Sequence, residues 1–575
     1  MARPRWIDPE PLPAALPALH HDPLLAEVLY RRGLRDPAAA HAFLDARPRP
    51  APDPDLLPNM DRAVERVCRA LDDGETIAVF GDYDADGVTS TALLTRALRA
   101  AAADAGRVVP RVPTRGEGYG LSRSAIDAFH AAGATLLIAV DCASTDHEHV
   151  AYAQECGLDV LVLDHHQMRD GGPTGAIVVS PQLPSDSDTT SRPYRELSAV
   201  GIAYLLVAAL AREGCRVDGA DGREPEINLL DLVALGTIGD VAPLMGVNRP
   251  LVRDGLGRLR ERPRPGIAAL CRRAGIEPAD LTSTAVAFKL TPRLNAAGRI
   301  ADPALALDLL LTDDHLEAER LAAEIEALNT RRRAESRQIV EDAEALLRAQ
   351  PGWTERRILV VSSRAWSGGV LGIAAGQLAE RYGRPAIVLS DDGTVSRGSA
   401  RSIAGFDIAG ALSRHGHLLD HHGGHSQAAG LTLPSAHVSG LTSALEAAID
   451  AEGVPLVAEP EIRIDADVPL ERLTLATARL LGGLEPLGTG NEPPVFRVRG
   501  ARVAKYSAMG ADRRHLKLHV GAGRGAIPVV AWGAADRSSE LLRDPVVDLL
   551  VALSIDHWDG QTRLQVEAKD FRPAE

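Results

Sequence analysis

The chain has 575 residues, which is too long for a single hydrophobic core and predicts three or four domains. Its formal net charge of −15 argues against nonspecific coating of nucleic acid, although a local basic groove remains compatible with that charge. The five cysteines show no paired spacing, and no apolar run resembles a signal peptide or a membrane span. We therefore expect a protein of the reducing cytoplasm with no membrane association.

The first half of the chain predicts an α/β architecture. Residues 1–50 are rich in Pro, Ala and Arg and predict short helices between Asp8 and Arg47. Apolar runs then alternate with helical patterns, and a helical stretch follows, so we expect one parallel-sheet domain over residues 51–312. Its loop from Pro181 to Pro193 is full of Ser, Asp and Thr, which predicts a mobile surface segment.

The first apolar run, Thr76–Phe80, leads directly into an acidic segment, GDYDADGVTS. Asp82, Asp84 and Asp86 alternate there at the carboxyl end of a predicted buried strand, where ligands bind in open α/β sheets. Carboxylates this close repel one another unless a cation neutralises them, and oxygen ligands suit Mg²⁺ or Mn²⁺. A solvated turn rich in Asp and Gly is the alternative, and the motif by itself favours metal only modestly.

Two further apolar runs end in acidic or imidazole groups. Leu136–Val140 leads into Asp141, and Val160–Leu163 leads into an Asp-His-His sequence at 164–166. A helix-sized stretch separates the two runs, so a parallel βαβ crossover is the natural connection. Both strand ends should then meet at the same edge of the sheet as the first acidic segment.

A fourth carboxylate, Asp240, follows the apolar segment Leu235–Gly239. Carboxylates and imidazoles in this number fit two divalent ions that serve phosphoryl displacement. Zinc alone is disfavoured because no cysteine cluster accompanies the histidines. The residues by themselves therefore predict a two-metal phosphoesterase.

The order of these motifs, DYDADG, VDC, DHH, GTIGDVAPL and then GGH, is similar to that of the DHH phosphoesterases. Four more stretches resemble the RecJ branch of that family, and they are GEGYGLS (116–122), PRLNAAGR (292–299), SRGSARSIAGFD (396–407) and LEPLGTGNEPPVF (484–496). The resemblance spans residue 50 to the C-terminus. It implies 5′→3′ hydrolysis of single-stranded DNA to 5′-mononucleotides, in DNA repair and recombination.

Two alternatives stay open. A phosphodiesterase of the same superfamily could act on short oligoribonucleotides or cyclic dinucleotides, but such enzymes generally lack a C-terminal barrel and the PRLNAAGR and LEPLGTGN stretches. A non-catalytic single-strand-binding or scaffold protein would normally have lost ligands, whereas all the expected acids and histidines are present here. Tight Mn²⁺ binding would discriminate against the scaffold.

The resemblance implies a site with two Mn²⁺ or Mg²⁺ ions. The implied metal ligands are Asp82, Asp84, Asp86, Asp141, His165, His166 and Asp240. All of these except Asp82 are also expected to be catalytic, together with His425 of the Gly-Gly-His sequence. His166 and His425 are expected to stabilise the charge that develops on the phosphate.

The resemblance also implies substrate contacts in two groups. Ser399 and Arg401, with Arg397 nearby, match the pocket that binds the 5′-terminal phosphate. From the catalytic domain, Arg115 is expected to join them and Tyr119 to stack on a nucleotide base.

A further cluster, Arg293, Asn295 and Arg299, is expected to face phosphate or metal. A surface ion pair is the alternative for each arginine. The sequence departs from the family in the spacing between Arg115 and Tyr119, which is one residue short, and in Ser367, where the family usually has histidine. We assign no catalytic role to Ser367.

The second half of the chain predicts a spacer and two more domains. A helix of more than thirty residues at 313–350 is typical of a spacer. Residues 351–456 predict a second α/β domain, and the resemblance implies that it is the DHH-associated substrate-binding domain. Five or six short strands over 457–575 fit an OB-fold β-barrel for nucleic-acid binding, with a β-sandwich as the alternative.

The predicted barrel carries a basic stretch with an aromatic neighbour, comprising Lys505, Tyr506, Arg513, Arg514, His515 and Lys517. Such a stretch suits a surface that tracks a single-stranded backbone. Trp532 and Trp558 are either stacking platforms or core residues. By resemblance we expect a nucleoid-associated monomer, with a single-strand-binding protein and a RecQ-like helicase as partners.

Overall fold

The computed structural model describes residues 3–13, 16, 18–45, 52–168, 171–183, 194–215, 228–457, 459–510, 513–543, 545–558 and 561–574. The chain forms two compact units. The first unit comprises Ala46–Arg332 and Leu484–Glu492, and the second comprises Met1–Asp45, Arg333–Gly483 and Pro493–Glu575. Most of the loop predicted between Pro181 and Pro193 lies outside the described residues.

The strands are, in chain order, β1 (Arg5–Ile7), β2 (Thr76–Gly81), β3 (Val108–Arg111), β4 (Ala134–Val140), β5 (Asp159–Leu163), β6 (Ile177–Val179), β7 (Leu359–Ser363), β8 (Ala386–Asp391), β9 (Val395–Arg401), β10 (His421–His425), β11 (Ala428–Pro434), β12 (Glu461–Arg463), β13 (Ala466–Asp467), β14 (Phe496–Met509), β15 (His515–Val520), β16 (Ile527–Ala531), β17 (Val546–Trp558) and β18 (Gln561–Pro573).

The α-helices are α1 (Pro23–Arg31), α2 (Pro37–Leu44), α3 (Met60–Asp72), α4 (Ala85–Ala101), α5 (Arg123–Ala131), α6 (His147–Glu155), α7 (Ala199–Arg212), α8 (Leu230–Gly239), α9 (Asn248–Glu261), α10 (Pro265–Ala274), α11 (Ser283–Ala285), α12 (Thr291–Ile300), α13 (Ala304–Leu311), α14 (His315–Ala349), α15 (Leu371–Tyr382), α16 (Ile408–Arg414), α17 (Val438–Ala451), α18 (Leu475–Leu481) and α19 (Ser538–Arg543). No described helix combines the length and the apolar character that crossing a membrane requires.

The first unit is built on a five-stranded parallel sheet in the order β3-β2-β4-β5-β6. Alternation along β2 sends Ile77 and Val79 into a core with α4, α7 and α8, and Ala78 and Phe80 into a core with α5 and α6. Strands buried on both faces read as continuous apolar runs, which is why the sequence predicted them. The predicted parallel sheet is confirmed.

Close contact between α8 and α9 depends on a glycine. A Cβ on Gly255 of α9 would lie 2.1 Å from the carbonyl oxygen of Leu230, whereas a Cβ on Gly257 would meet nothing within 4 Å. We expect Gly255→Ala to destabilise the protein by about 3 kcal/mol, because the backbone of α8 cannot yield as a side chain would. Gly257→Ala should instead stabilise it by about 0.5–1 kcal/mol through helix propensity.

Urea unfolding of the two variants checks this prediction, since the glycines lie two residues apart on one helix. Equal midpoints for Gly255→Ala and Gly257→Ala would contradict the packing of α8 on α9.

The second unit contains a mixed sheet and a barrel. The sheet has the order β10-β11-β9-β8-β7, with β7 and β8 parallel and the other pairs antiparallel. The barrel runs β14-β15-β16-β18-β17 and is closed by pairing of β14 with β17. Closure of five strands on themselves confirms the predicted OB-type barrel and rules out the β-sandwich. The predicted long connecting helix is α14, with 35 residues.

Candidate metal centre and substrate-binding residues

The first acidic segment turns sharply from β2 into α4. Asp84 caps α4, and its Oδ1 accepts hydrogen bonds from the backbone N–H groups of Asp86 (2.9 Å) and Gly87 (3.2 Å). Gly87 is required at this turn because a Cβ there would lie 2.4 Å from the carbonyl oxygen of Asp82. The tight turn therefore gathers three carboxylates, of which Asp82 and Asp86 are buried.

Asp86 points at the N-terminus of α7. Its carboxylate accepts hydrogen bonds from the backbone N–H groups of Ala199 (2.8 Å) and Val200 (3.0 Å), where the helix dipole favours negative charge. Burial nevertheless raises the pKa of Asp86 to about 7, and the nearby charge of Asp84 adds to the rise. These two N–H groups therefore orient the carboxylate without fully compensating its charge.

The ends of β4, β5 and α8 meet the same site. Asp141 follows β4 in a left-handed conformation with φ of 60°, and its Oδ1 lies 3.3 Å from Nε2 of His165, which follows β5. Asp240 follows α8, and its Oδ2 lies 3.8 Å from Nδ1 of His165. The apolar segment before Asp240 is thus a helix, buried almost all round, which brings its last carboxylate to the edge of the sheet.

Three groups of side chains place ligand atoms within 4.8 Å of one another, and they are Asp82 with Asp84 and Asp141, Asp86 with His165 and Asp240, and Asp141 with Asp164, His165 and His166. The structure thus brings together all seven predicted metal ligands. Asp141 and His165 each belong to two of the groups, so they lie at the centre of the cluster.

Divalent cations fit this donor set. The Oδ1 atom of Asp82 is buried and has no hydrogen-bond partner within the described part of the chain, which is costly for a carboxylate oxygen. Burial, and then the charge of Asp84, raise the pKa of Asp82 to about 8. Burial, and then the charge of Asp86, raise the pKa of Asp240 to about 8. Hard oxygen ligands with an imidazole suit Mn²⁺ or Mg²⁺.

Asp164 belongs to the same cluster, although the sequence prediction did not include it among the site residues. Its Oδ1 accepts a hydrogen bond from Nδ1 of His166 (2.7 Å), and its Oδ2 accepts one from the backbone N–H of Ser144 (3.3 Å). Burial acts to raise the pKa of Asp164, but the hydrogen bond and charge of His166, the hydrogen bond from Ser144 and the charge of His165 together lower the pKa to about 2. Burial likewise acts to lower the pKa of His166, but Asp164 raises it to about 9.

The signal for Asp164 was present in the sequence. A carboxylate that directly precedes two candidate histidine ligands often orients one of them, as carboxylate–histidine pairs do beside metals. Because Asp164 accepts a hydrogen bond from Nδ1 of His166, the Nε2 atom is the one left to act on a metal or a substrate.

Arg115 packs on the first acidic segment. Its guanidinium carbon lies 4.4 Å from the ring centroid of Tyr83, and its Nε donates to the carbonyl oxygen of Gly298 (3.2 Å). The backbone of Gly298 lies against that of Tyr83, so closely that a Cβ on Gly298 would be 2.4 Å from the carbonyl oxygen of Tyr83. Burial raises the pKa of Tyr83, and the charges of Arg115 and Arg299 oppose that rise. The PRLNAAGR stretch therefore packs against the acidic segment, with two predicted arginines around Tyr83.

Tyr119 borders the metal ligands. Its hydroxyl donates to the carbonyl oxygen of Asp141 (3.2 Å) and lies 3.3 Å from Nδ1 of His166. Its ring meets that of His166 edge to face, with centroids 5.9 Å apart, and the residue is 54% exposed. The hydroxyl is therefore tethered at the metal cluster while much of the ring stays open, and stacking on a base remains a prediction.

The other predicted residues of PRLNAAGR differ in their surroundings. Arg293 forms an ion pair with Glu326 of α14 and donates to the carbonyl oxygen of Lys289, so the structure shows the ion-pair alternative for this arginine. The Oδ1 atom of Asn295 is buried without a hydrogen-bond partner among the described residues.

The second unit holds a separate group of predicted substrate residues on β9. Ser399 and Arg401 share one face of the strand and lie against the first turn of α15. A Cβ on Gly372 there would be 2.8 Å from Nη2 of Arg401 and 3.3 Å from Oγ of Ser399. A helix N-terminus beside a guanidinium and a hydroxyl is a typical phosphate site. Arg397 is more exposed, with its Nη1 3.9 Å from Oδ2 of Asp392.

His425 ends β10 of the same sheet. It pairs with Ala428 of β11, which in turn pairs with Arg401 of β9, so His425 and Arg401 lie on one row across three strands. Gly424 permits this pairing, because its φ is 143° and a Cβ there would lie 2.2 Å from the carbonyl oxygen of Ala428.

Comparison with known proteins agrees with this geometry. A model of the DHH family, N-terminal domain, matches residues 76–237, a DHHA1 domain model matches 355–451, and a RecJ OB domain model matches 464–570. The single-stranded-DNA-specific exonuclease RecJ of Bacillus subtilis is 33% identical over 559 residues, which cover 97% of this chain and 69% of that protein. The RecJ of Escherichia coli is 34% identical over 589 residues, covering 98% and 97% of the two chains.

The chain belongs to the RecJ family. The crystal structure of Thermus thermophilus RecJ in complex with Mn²⁺ matches 99% of this chain and 80% of that chain, with a TM-score of 0.81 and 31% identity. The Mg²⁺ complex of that RecJ matches with a TM-score of 0.76. The resemblance inferred from the motifs is thus confirmed. The two metals of that RecJ are also those that the donor set predicts here.

Proposed function

We propose that this RecJ-family protein hydrolyses single-stranded DNA from its 5′ end, releases 5′-mononucleotides and uses two bound Mn²⁺ or Mg²⁺ ions. The observation that carries the proposal is the convergence of six acidic residues and two histidines on one edge of the parallel sheet. The names of its relatives, which are single-stranded-DNA-specific exonucleases, support the choice of substrate.

Two ligand groups support the number of ions. Asp86, His165 and Asp240 would hold one ion, and Asp82, Asp84 and Asp141 the other. Two divalent ions supply an activated water and neutralise charge on the attacking and leaving oxygens.

His166 is proposed to stabilise the negative charge that develops on the reacting phosphate. Its Nδ1 is held by Asp164 (2.7 Å), which leaves Nε2 as the nitrogen that can face the substrate. Its Nε2 can then donate to a phosphate oxygen as negative charge develops. His425 of the second unit is proposed to donate in the same way.

The group around Ser399 and Arg401 is proposed to hold the terminal phosphate. Arg401 and Ser399 lie beside the N-terminus of α15, which favours an anion, and contacts to phosphate carry no base identity. Anchoring the 5′ end in this way would give the reaction its polarity. Recognition would then depend on the backbone rather than on sequence.

The barrel is proposed to bind the single-stranded backbone. The outward face of β15 carries His515 and Lys517, and Trp532 directly follows β16. The ring of Trp532 meets that of His515 edge to face, with centroids 4.9 Å apart. Trp532 is 51% exposed, which favours a stacking platform over a core residue. The side chain of Trp558 lies outside the described residues.

On family resemblance we extend the proposal to a role in DNA repair and recombination. The protein would act as a monomer at the nucleoid in the cytoplasm, with a single-strand-binding protein and a RecQ-like helicase as partners.

A nuclease assay with Mn²⁺ and DNA labelled at its 3′ end tests the function. We expect progressive shortening of single-stranded DNA from its 5′ end, no action on the blunt duplex, and no activity in an Asp84→Ala/Asp86→Ala variant. Preference for short RNA would move the protein to the oligoribonuclease branch. Binding without cleavage under every divalent ion would overturn the enzymatic proposal.

Arg401→Ala is expected to lower kcat/KM on 5′-phosphorylated single strands about 10- to 100-fold, because a charge-assisted contact to phosphate is lost. Activity on 5′-hydroxyl ends should change little, so the preference for a terminal phosphate would disappear. Arg414→Ala is the control, since Arg414 at the end of α16 lies in the same domain but forms an ion pair with Glu452. An unchanged preference in Arg401→Ala would place the 5′ phosphate elsewhere.

A further inference from the structure

The stretch Leu484–Glu492, which we call the 484–492 loop, packs with the first unit although the chain on both sides of it belongs to the second. The proposed function does not use this motif. The loop is closed by its own hydrogen bonds. The side-chain amide of Asn491 donates to the carbonyl oxygens of Leu484 (2.8 Å) and Pro486 (2.6 Å), and Asn491 is only 1% exposed. Gly488 and Asn491 also exchange backbone hydrogen bonds of 3.0 and 2.9 Å.

A buried arginine at the start of α9 holds one side of this loop. The Nη1 of Arg249 donates to the carbonyl oxygens of Leu484 (3.1 Å) and Pro486 (3.3 Å), and its Nη2 donates to that of Glu485 (3.0 Å). One guanidinium therefore binds three successive carbonyl groups. Charge-assisted hydrogen bonds of this kind are stronger than neutral ones.

Ser283, at the start of α11, holds the other side. Its Oγ lies 2.7 Å from Oε2 of Glu485 and accepts a hydrogen bond from the backbone N–H of Leu487 (2.8 Å). Its backbone N–H also donates to Oε2 of Glu485 (3.2 Å). The loop is thus fastened to the first unit at two points.

The anchored 484–492 loop packs against the turn that follows α8. The backbone N–H of Leu244 donates to the carbonyl oxygen of Thr489 (2.8 Å), and a Cβ on Gly488 would lie 2.7 Å from Cδ1 of Leu244. A Cβ on Gly490 would lie 3.3 Å from Cγ of Met245. The loop therefore contacts residues 243–245 of this turn.

The supported turn begins at Asp240 and is strained. Val241 has φ of 62°, a left-handed conformation that a β-branched residue adopts only under constraint. Its side chain is 68% exposed, so its own packing does not impose that conformation. This conformation closes the C-terminus of α8, where the N–H groups of Val241 and Ala242 donate to the carbonyl oxygens of Ile238 (3.2 Å) and Thr237 (3.3 Å). The 484–492 loop holds the chain that follows this cap.

We propose that the 484–492 loop positions Asp240 as a metal ligand. By holding Leu244 and Met245, the loop fixes the chain that leaves the left-handed turn at Val241. It thereby keeps the Asp240 carboxylate beside His165, with which Asp240 forms one ligand group. Arg249 and Ser283 act through the loop and are positioning residues. This inference rests on the proposed function, because it takes Asp240 to be a ligand.

The test compares Arg249→Met with Arg260→Met. Both arginines lie on α9 and donate to backbone carbonyl groups, but Arg260 binds the carbonyl oxygen of Leu281 (2.7 Å) rather than the loop. Calorimetry should show Mn²⁺ binding about 10- to 100-fold weaker in Arg249→Met, as for other residues that orient metal ligands, and within twofold of wild type in Arg260→Met. In the metal-free protein, hydrogen exchange at the Leu244 amide should speed up only in Arg249→Met.

Two further variants distinguish a specific loss of Mn²⁺ affinity from a loss that results from unfolding. Arg249→Lys keeps the charge and some of the donors, so it should restore part of the Mn²⁺ affinity. Ser283→Ala removes a smaller contact and should weaken Mn²⁺ binding in the same direction.

The two proposals fail in different ways. A wild-type chain that does not bind Mn²⁺ would overturn the proposed function, and this inference with it. A wild-type chain that binds Mn²⁺, together with folded Arg249→Met and Ser283→Ala variants that bind it equally well, would overturn this inference alone.

Discussion

Replacing Asp141 by asparagine is expected to lower hydrolysis of single-stranded DNA about 10³-fold or more. Asp141 belongs to two of the three ligand groups, and its Oδ1 lies 3.3 Å from Nε2 of His165. Asparagine removes the charge that both groups share but keeps the shape of the side chain. It also tolerates the left-handed backbone at this position, where φ is 60°, so the fold should persist.

The measurement is the steady-state rate with Mn²⁺, alongside a thermal melt that reports folding. Asp146→Asn is the matched control, because Asp146 follows the same strand but caps α6, a role that asparagine fills equally well. Its rate should stay within about twofold of wild type. Retention of more than a tenth of the wild-type rate in Asp141→Asn would remove Asp141 from the centre of the site.

Mn²⁺ is expected to raise the unfolding temperature of the protein by about 5 °C at pH 8 when present at about 100 times its dissociation constant. At pH 6 the shift should be much smaller. Asp82 and Asp240 have folded-state pKa values of about 8, well above those of an unfolded chain. At pH 6 these carboxylates are protonated, and the protons compete with Mn²⁺ for the same oxygen atoms.

In the metal-free protein, the same pKa shifts predict how the folding stability changes with pH. Between about pH 4 and pH 8 the folded chain holds more protons than the unfolded chain, so stability falls as the pH rises through that window. His166 acts in the same sense, because its raised pKa contributes stability below about pH 6.5 that is lost as the pH passes about 9. Asp164 adds nothing to the trend, because its pKa of about 2 leaves it ionised throughout.

Thermal melts at pH 6 and pH 8, with and without Mn²⁺, check this prediction. The Asp82→Asn/Asp240→Asn variant is the control. Without metal it should be more stable than wild type at pH 8, and it should gain little from Mn²⁺. A metal-free wild type that is more stable at pH 8 than at pH 6 would contradict the proposed origin of the pKa shifts.

Local sequence determined the frame of the site. Strands that are buried on both faces must be continuously apolar, so Thr76–Phe80, Leu136–Val140 and Val160–Leu163 could be read directly as parallel strands. The polar residue after each strand then has to lie at the carboxyl edge of the sheet. The sequence alone therefore predicts that Asp141 and His165 lie beside the first acidic segment.

Contacts between residues distant in sequence decided the rest. Asp240 reaches the site from the end of a helix rather than a strand, Asp164 acts through its bond to His166, and Arg293 is engaged by Glu326. The 484–492 loop meets the turn after Asp240 across more than 240 residues of chain, through carbonyl groups that carry no sequence signal. Periodicity reports which residues are buried, because burial recurs along one element. Only the tertiary structure shows which buried groups are in contact, because such a hydrogen bond requires two elements that are distant in sequence to pack together.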